Sequence, residues 1–286
     1  YMKRISRRSF LMAAGLGVAA LGLAACGGAA SASTAASASS AASGSTAAAQ
    51  SDLDEIKGKG KMVIGYTVYE PMNYTDADGN FTGFDTELAT AVCEKLGVEP
   101  EFVEINWDTK ETELAAKSID CIWNGLTLTD DREENMACTK PYVKNAQVVV
   151  VKDGTDYTST ADLIGKTVVA EAGSAGEAAI QGDENLSKAD YVSKSVQTDC
   201  LMEVAAGTAD AAIIDSLMAG AMVGEGTSYP DLTITDQKLT EELYGVGCRK
   251  GSDLASFINS VMADAYADGV LEATAETYGV QAALVE

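Results

Sequence analysis

The 286-residue chain contains no histidine. Every mechanism that needs an imidazole is therefore excluded: a Ser–His–Asp triad, a Cys–His dyad and an HExxH zinc site cannot be assembled from it. Cations are scarce too, with 20 Lys and Arg against 43 Asp and Glu and a formal charge of −23 at pH 7. Phosphate binding needs local cations, so this balance argues against DNA or RNA as a partner. It fits a soluble surface module that resists aggregation. Apart from Cys26 there are five cysteines, Cys93, Cys121, Cys138, Cys200 and Cys248, and no CxxC pair. An odd number without close pairs indicates neither a disulfide framework nor a zinc knuckle. Buried thiols acting as small apolar residues are expected, with one disulfide left open. No metal and no cofactor are expected.

The acidic residues all follow Cys26. Before it, "MKRISRRSF" carries Lys3, Arg4, Arg7 and Arg8, and "LMAAGLGVAALGLAA" is an apolar run. A basic start, a short apolar core and small residues before a cut describe a secretory signal over 1–25. The run is about 15 residues, too short to span a bilayer comfortably. "LAAC" at 23–26 resembles the lipobox of bacterial lipoproteins, in which the cysteine becomes the lipid-bearing N-terminus. "SRRSFLM" also resembles a twin-arginine signal, so the export route stays open. Loss of the four signal cations would take the charge from −23 to about −27. The Ala/Ser/Gly stretch that follows holds no charge and no large apolar side chain. It cannot bury enough surface to offset its ordering entropy, so 26–51 is expected to be a lipidated cysteine and a flexible tether.

From residue 52 onward, strand-like and helix-like segments alternate. "KMVIGYTV", "PEFVEIN" and "IDCIWNG" read as strands, with "DTELATAVCEKLG" and "KETELAAKS" as helices between them. Asp85 is placed to N-cap the first helix and Gly97 to end it. A βαβαβ order implies a parallel sheet with helices on its faces. "AQVVVVKDG" opens a second series, which runs through "TVVAE", "SAGEAAIQ", "ADYVSKSV", "QTDCLMEVAAGT" and "ADAAIIDS". Two α/β units in tandem favour two lobes with a cleft between them. Ligands of open α/β sheets bind beyond the carboxyl ends of the strands. Arg132 and Asp215 both follow such strand ends, so both are cleft candidates.

"GFDTELATAVCEKLG", "IDCIWNGLTLTDDR", "TKPYVKNAQVVVVK", "DLIGKTVVAEAGS" and "AAGTADAAIIDS" occur in that order. Together, over about 61 to 280, they resemble the family 3 extracellular solute-binding proteins, the polar amino-acid receptors of ABC importers. The resemblance implies an α/β fold of the two-lobed, type II periplasmic-binding kind. Each lobe would be a mostly parallel sheet flanked by helices, hinged about a ligand cleft. Lobe 1 is expected over 52–145 and 240–286, and lobe 2 over 146–239.

In that family pattern Arg132 would form a bidentate pair with the ligand's α-carboxylate, which a planar guanidinium suits. Thr127 would add its N–H and hydroxyl, and the Gly125 carbonyl would accept from the α-ammonium. Asp215 would supply the negative charge that a buried ammonium requires. Ser174 and the N–H groups beside it at a helix start would reach the carboxylate from the other lobe. Asn124, within the second of those stretches, and Ala175, directly after the fourth, are expected at the ligand as well. Tyr69 and Trp107 align with positions that flank the ligand side chain, where an aromatic pair could sandwich a planar or cationic group.

Two departures bear on side-chain specificity. "EPMN" replaces an aromatic after the proline, and Ala175 follows Ser174 where some relatives have a second hydroxyl. Tyr66 stands where relatives can place an acid for a cationic side chain, which weakens the case for lysine. The implied function is capture of a free polar amino acid by a monomer and its delivery to an ABC permease. A lipid on Cys26 would hold it to the outer face of the cytoplasmic membrane. The rivals are a dehydratase-like enzyme of the same fold, with Asp215 or Glu171 as acid or base, and a surface adhesin. The receptor, and not the enzyme, is the expected reading.

Overall fold

The computed structural model describes residues 51–285. The expected signal peptide, Cys26 and the expected tether up to residue 50 lie outside the described residues. The first sheet has the order Glu99–Glu104, Lys61–Tyr66, Cys121–Thr127, Glu242–Arg249, Met136–Cys138, and Val143–Asn145 also pairs with the fourth strand. The first three strands run parallel, while Glu242–Arg249 is antiparallel to its neighbours. Every residue of Cys121–Thr127 is buried, as expected of a strand covered on both faces.

Helix Phe84–Leu96 packs against this sheet through Phe84, Leu88, Ala89, Val92, Cys93 and Leu96, a helical spacing. It stops at Gly97, whose left-handed φ of 77° turns its N–H back to the Cys93 and Glu94 carbonyls. Its start differs from the sequence expectation. Gly83 is the N-cap and Asp85 lies inside the first turn, fully buried. The Asp85 carboxylate instead accepts from the Gly125 N–H at 2.8 Å and the Tyr142 hydroxyl at 2.8 Å. Burial pushes its carboxyl up to about 6. Asp85 thus ties the helix to the strand that carries the site.

The second sheet has the order Asp190–Lys194, Thr167–Glu171, Ala211–Asp215, Gln147–Lys152, Leu232–Lys238. Its first three strands are parallel, and Gln147–Lys152 is antiparallel to both its neighbours, Ala211–Asp215 and Leu232–Lys238. The strand Leu232–Lys238 carries no clear pattern in the sequence. The chain crosses between the sheets twice, at Ala146 and at 239–241, and the crossings are bonded to each other. Leu239 N–H donates to the Gln147 carbonyl at 2.8 Å, the Gln147 N–H to Thr240 Oγ1 at 3.0 Å, and Glu242 pairs with Asn145. The C-terminal helices Leu254–Ala267 and Val270–Thr277 return to the first sheet and pack on Phe84–Leu96.

Cys93, Cys121, Cys138, Cys200 and Cys248 are all free, and all but Cys138 are buried. Among the described residues no helix is long and apolar enough to cross a membrane. Nor is there a cluster of three metal-ligating side chains among them.

Candidate functional site

Three strands end at one place. Thr127 closes the central strand of the first sheet, and Glu171 and Asp215 close neighbouring parallel strands of the second. The space between is lined from the first half by Trp107, Asn124, Gly125, Thr127 and Arg132, and from the second by Glu171, Ser174, Ala175, Gln197 and Asp215. These side chains leave only about 10 Å³ among them, roughly one water-sized space. A wider cleft of about 1160 Å³ abuts it and shares Thr127, Arg132, Ser174 and Ala175.

The two halves touch directly beside this space. Lys110 is 3% exposed; its Nζ donates to the Trp107 carbonyl at 3.0 Å and to the Gly173 carbonyl of the other half at 2.9 Å. It also sits 4.9 Å from the Trp107 ring centroid, a cation–π distance. Burial, with the Arg132 charge second, pulls its ammonium down to about 8. A Cβ on Gly173 (φ 70°) would lie 2.7 Å from Asp108 Cα, so only glycine permits this approach.

Arg132 stands in the short helix Asp130–Asn135, which Thr129 caps by accepting from the Arg132 N–H. Its Nη1 donates to the Thr127 carbonyl at 2.6 Å, and its nearest carboxylate is Glu111 at 3.9 Å. Asp131 and Glu133, adjacent in sequence, do not pair with it among the described residues. Burial draws the guanidinium below its ordinary value, with Glu111 the main opposing charge.

Asp215 is held by amides. One oxygen accepts from Asn145 Nδ2 at 2.6 Å and Gln147 Nε2 at 2.7 Å, the other from Gln197 Nε2. Glu242 Oε2 accepts from the same Asn145 and Gln147 amides, at 2.9 and 3.2 Å, and from Thr127 Oγ1 at 3.1 Å. Burial first and the Glu242 charge second push Asp215 up to about 6. The direct partners of this carboxylate pair are neutral donors, and across the space only the Arg132 charge acts on it, without a salt bridge among the described residues. Such a site favours a cationic partner.

The remaining expected residues divide into those with polar groups open to the space and those without. Ser174 caps helix Ala175–Gly182 by accepting from the Glu177 N–H at 3.1 Å, and its hydroxyl proton stays available. Asn124 lines the space, but its amide is spent within the first half on Thr67 and Asn73. Gly125 adopts φ +59°, and a Cβ there would lie 2.8 Å from Tyr69 Cε1 and 2.9 Å from Tyr244 Cε2. Tyr69 does not line the space. It lies buried beneath Gly125 with its hydroxyl 2.9 Å from that of Tyr244, their rings edge-on. Tyr66 is partly buried on the first sheet, packed on Phe81 and Phe102.

Four residues that build the site were not singled out as ligand contacts in the sequence: Lys110, Glu171, Gln197 and Glu242. Glu171 and Asp215 share a signal, an acid ending an otherwise apolar strand ("TVVAE", "AAIID"). Nothing local marks the other three.

The chain belongs to the bacterial extracellular solute-binding proteins of family 3, whose family model matches residues 62–281. Its fold is the two-lobed type II periplasmic-binding fold. It is 28% identical over 230 residues to the L-cystine-binding protein TcyJ of Escherichia coli, covering 79% of this chain and 85% of that one. A Streptococcus pneumoniae ABC uptake transporter substrate-binding protein with bound histidine is similar at 30% identity and TM-score 0.72, over 79% of this chain and 95% of that one. Holo ArgBP from T. maritima is similar at 34% identity and TM-score 0.68, over 74% and 93%.

Proposed function

We propose that this protein captures a free polar amino acid and hands it to the permease of an ABC importer. The observation that carries the reading is the placing of a partly buried guanidinium, Arg132, and a buried carboxylate, Asp215, on opposite sides of one enclosed space. An α-amino acid presents the complementary charges on one carbon. Arg132 takes the α-carboxylate, with Thr127, Ser174 and the N–H of Ala175 adding donors. Asp215 and the Gly125 carbonyl take the α-ammonium. Trp107 flanks the ligand side chain, while Tyr69 acts from beneath by setting the position of Gly125.

With so little room between the halves, the ligand enters when they part and is enclosed when they close. Residues 52–145 with 240–286 form one moving lobe and 146–239 the other. The bonded crossings at Ala146 and 239–241 absorb the change, and Lys110 latches the closed form. The relatives reported above are binding proteins, and we read this chain likewise as a receptor and not an enzyme. It is exported, carries lipid on Cys26 at the outer face of the cytoplasmic membrane, and works as a monomer.

Thermal-shift screening against the twenty amino acids, with small dicarboxylates and cyclic acids alongside, tests the reading. A rise in melting temperature with one or a few polar amino acids is expected. A response only to an acid lacking an amino group, or turnover of a cyclic acid, overturns it.

A further inference from the structure

One cation and two carboxylates line the enclosed space: Arg132, Asp215 and Glu171. On the amino-acid reading, the ligand's own zwitterion uses one of each, Arg132 and Asp215. Glu171 is left over. It is 2% exposed, and among the described residues its Oε1 has no hydrogen-bond partner. A buried carboxyl oxygen without a donor costs stability, so this oxygen stands ready to accept from a group that enters the space. Both acids end their strands, Glu171 on Thr167–Glu171 and Asp215 on the paired Ala211–Asp215, and both line the space.

We propose that Glu171 is a specificity-determining residue that accepts a hydrogen bond from a cationic group on the ligand side chain, a guanidinium or an ammonium. This rests on the amino-acid reading of the site and narrows it to cationic amino acids. A neutral donor can satisfy the oxygen, but only a cation gains an ion pair with the carboxylate in the closed space. The charged and titratable groups around Glu171 are Asp215, Lys110 and Cys200, with Thr67 and Gln197 beside it. Burial first and Asp215 second push its carboxyl up to about 8, against Thr67, Lys110 and Gln197. At neutral pH the unliganded protein therefore holds a proton there, and a ligand cation expels it to solvent on binding.

Calorimetric titration of the full chain with L-arginine, L-lysine, L-citrulline and L-glutamine at pH 7, in two buffers of different ionisation enthalpy, tests this. L-arginine or L-lysine should bind roughly 100-fold more tightly than its neutral counterpart and release close to one proton more. Glu171→Gln, nearly isosteric and free of a buried charge, should erase most of that preference and the extra proton. Any loss it causes for the neutral ligands should be much smaller than the loss for the cations. Equal losses for all four ligands would instead assign Glu171 to the α-ammonium and overturn the inference. So would tight binding of a neutral amino acid without proton release. If none of the twenty amino acids binds, the parent reading fails as well, an outcome distinct from the other two. The wild-type proton count needs no variant, so a folding defect in Glu171→Gln cannot mask the answer.

Discussion

Replacing Arg132 with alanine separates a binding residue from a structural one, because the two roles predict effects on different quantities. Among the described residues the guanidinium makes one hydrogen bond, to the Thr127 carbonyl, and a long contact to Glu111, whose side chain is 58% exposed. The first is worth about 1 kcal/mol net and the second about 0–1 kcal/mol. Stability should therefore fall by roughly 1–2 kcal/mol at most, and the fold should persist. Binding is different. A ligand carboxylate enclosed without its guanidinium is an uncompensated buried charge, costing about 3–5 kcal/mol. That corresponds to roughly 140- to 3,700-fold in affinity at about 1.4 kcal/mol per decade. Arg132→Lys keeps the charge but loses the planar fork, so it should fall between the parent and Arg132→Ala. Calorimetric titration with whichever amino acid emerges from the screen, beside a urea melt of each variant, gives both numbers. Affinity of Arg132→Ala within threefold of the parent would show that the carboxylate is held elsewhere.

The raised carboxyl of Glu171 has a stability consequence without any ligand. The folded state holds that proton at about 8 against an ordinary 4.5, so it binds the proton more tightly than the unfolded chain does. Stability should then fall as pH rises from about 4.5 to about 8, by as much as about 5 kcal/mol at 1.36 kcal/mol per pH unit. Glu171→Gln should remove most of that slope in urea melts at pH 5, 7 and 9; parallel pH profiles would refute the shift. Gly125→Ala forces a left-handed φ on an L-residue and drives a methyl into the buried Tyr69 and Tyr244 rings. A loss of roughly 2–4 kcal/mol is expected in the same melts, and a change under 1 kcal/mol would mean the rings yield freely. Cys26→Ser should release the protein from the membrane fraction, and unchanged membrane retention on fractionation would count against the lipid anchor.

Local chemistry made much of this protein readable. The alternation of apolar strands with amphipathic helices is a short-range pattern, and it announced two α/β units. The family motifs lie in contiguous stretches, and an acid or a guanidinium just past a buried strand stands out because strand ends face the cleft. Arg132, Asp215, Thr127 and Ser174 were found that way, and all line one space.

What the sequence could not decide is which groups meet across distance. Asp85 has every local mark of a helix cap, yet burial turns it to Gly125 and Tyr142, 40 and 57 residues away. Tyr69 has an aromatic suited to a ligand, yet the Gly125 turn above it and the Tyr244 hydroxyl hold it one layer below the space. Lys110 only opens a helix-like segment in the sequence, yet its ammonium reaches the Gly173 carbonyl of the other half. Glu242 joins Asp215 only because the chain crosses back beside Asn145 and Gln147. Periodicity and capping are set by residues a few positions apart, so one strand of text records them. Burial, charge pairing and the pKa of a carboxylate depend on neighbours brought together by the packing of two sheets, and those neighbours exist only once the chain has folded.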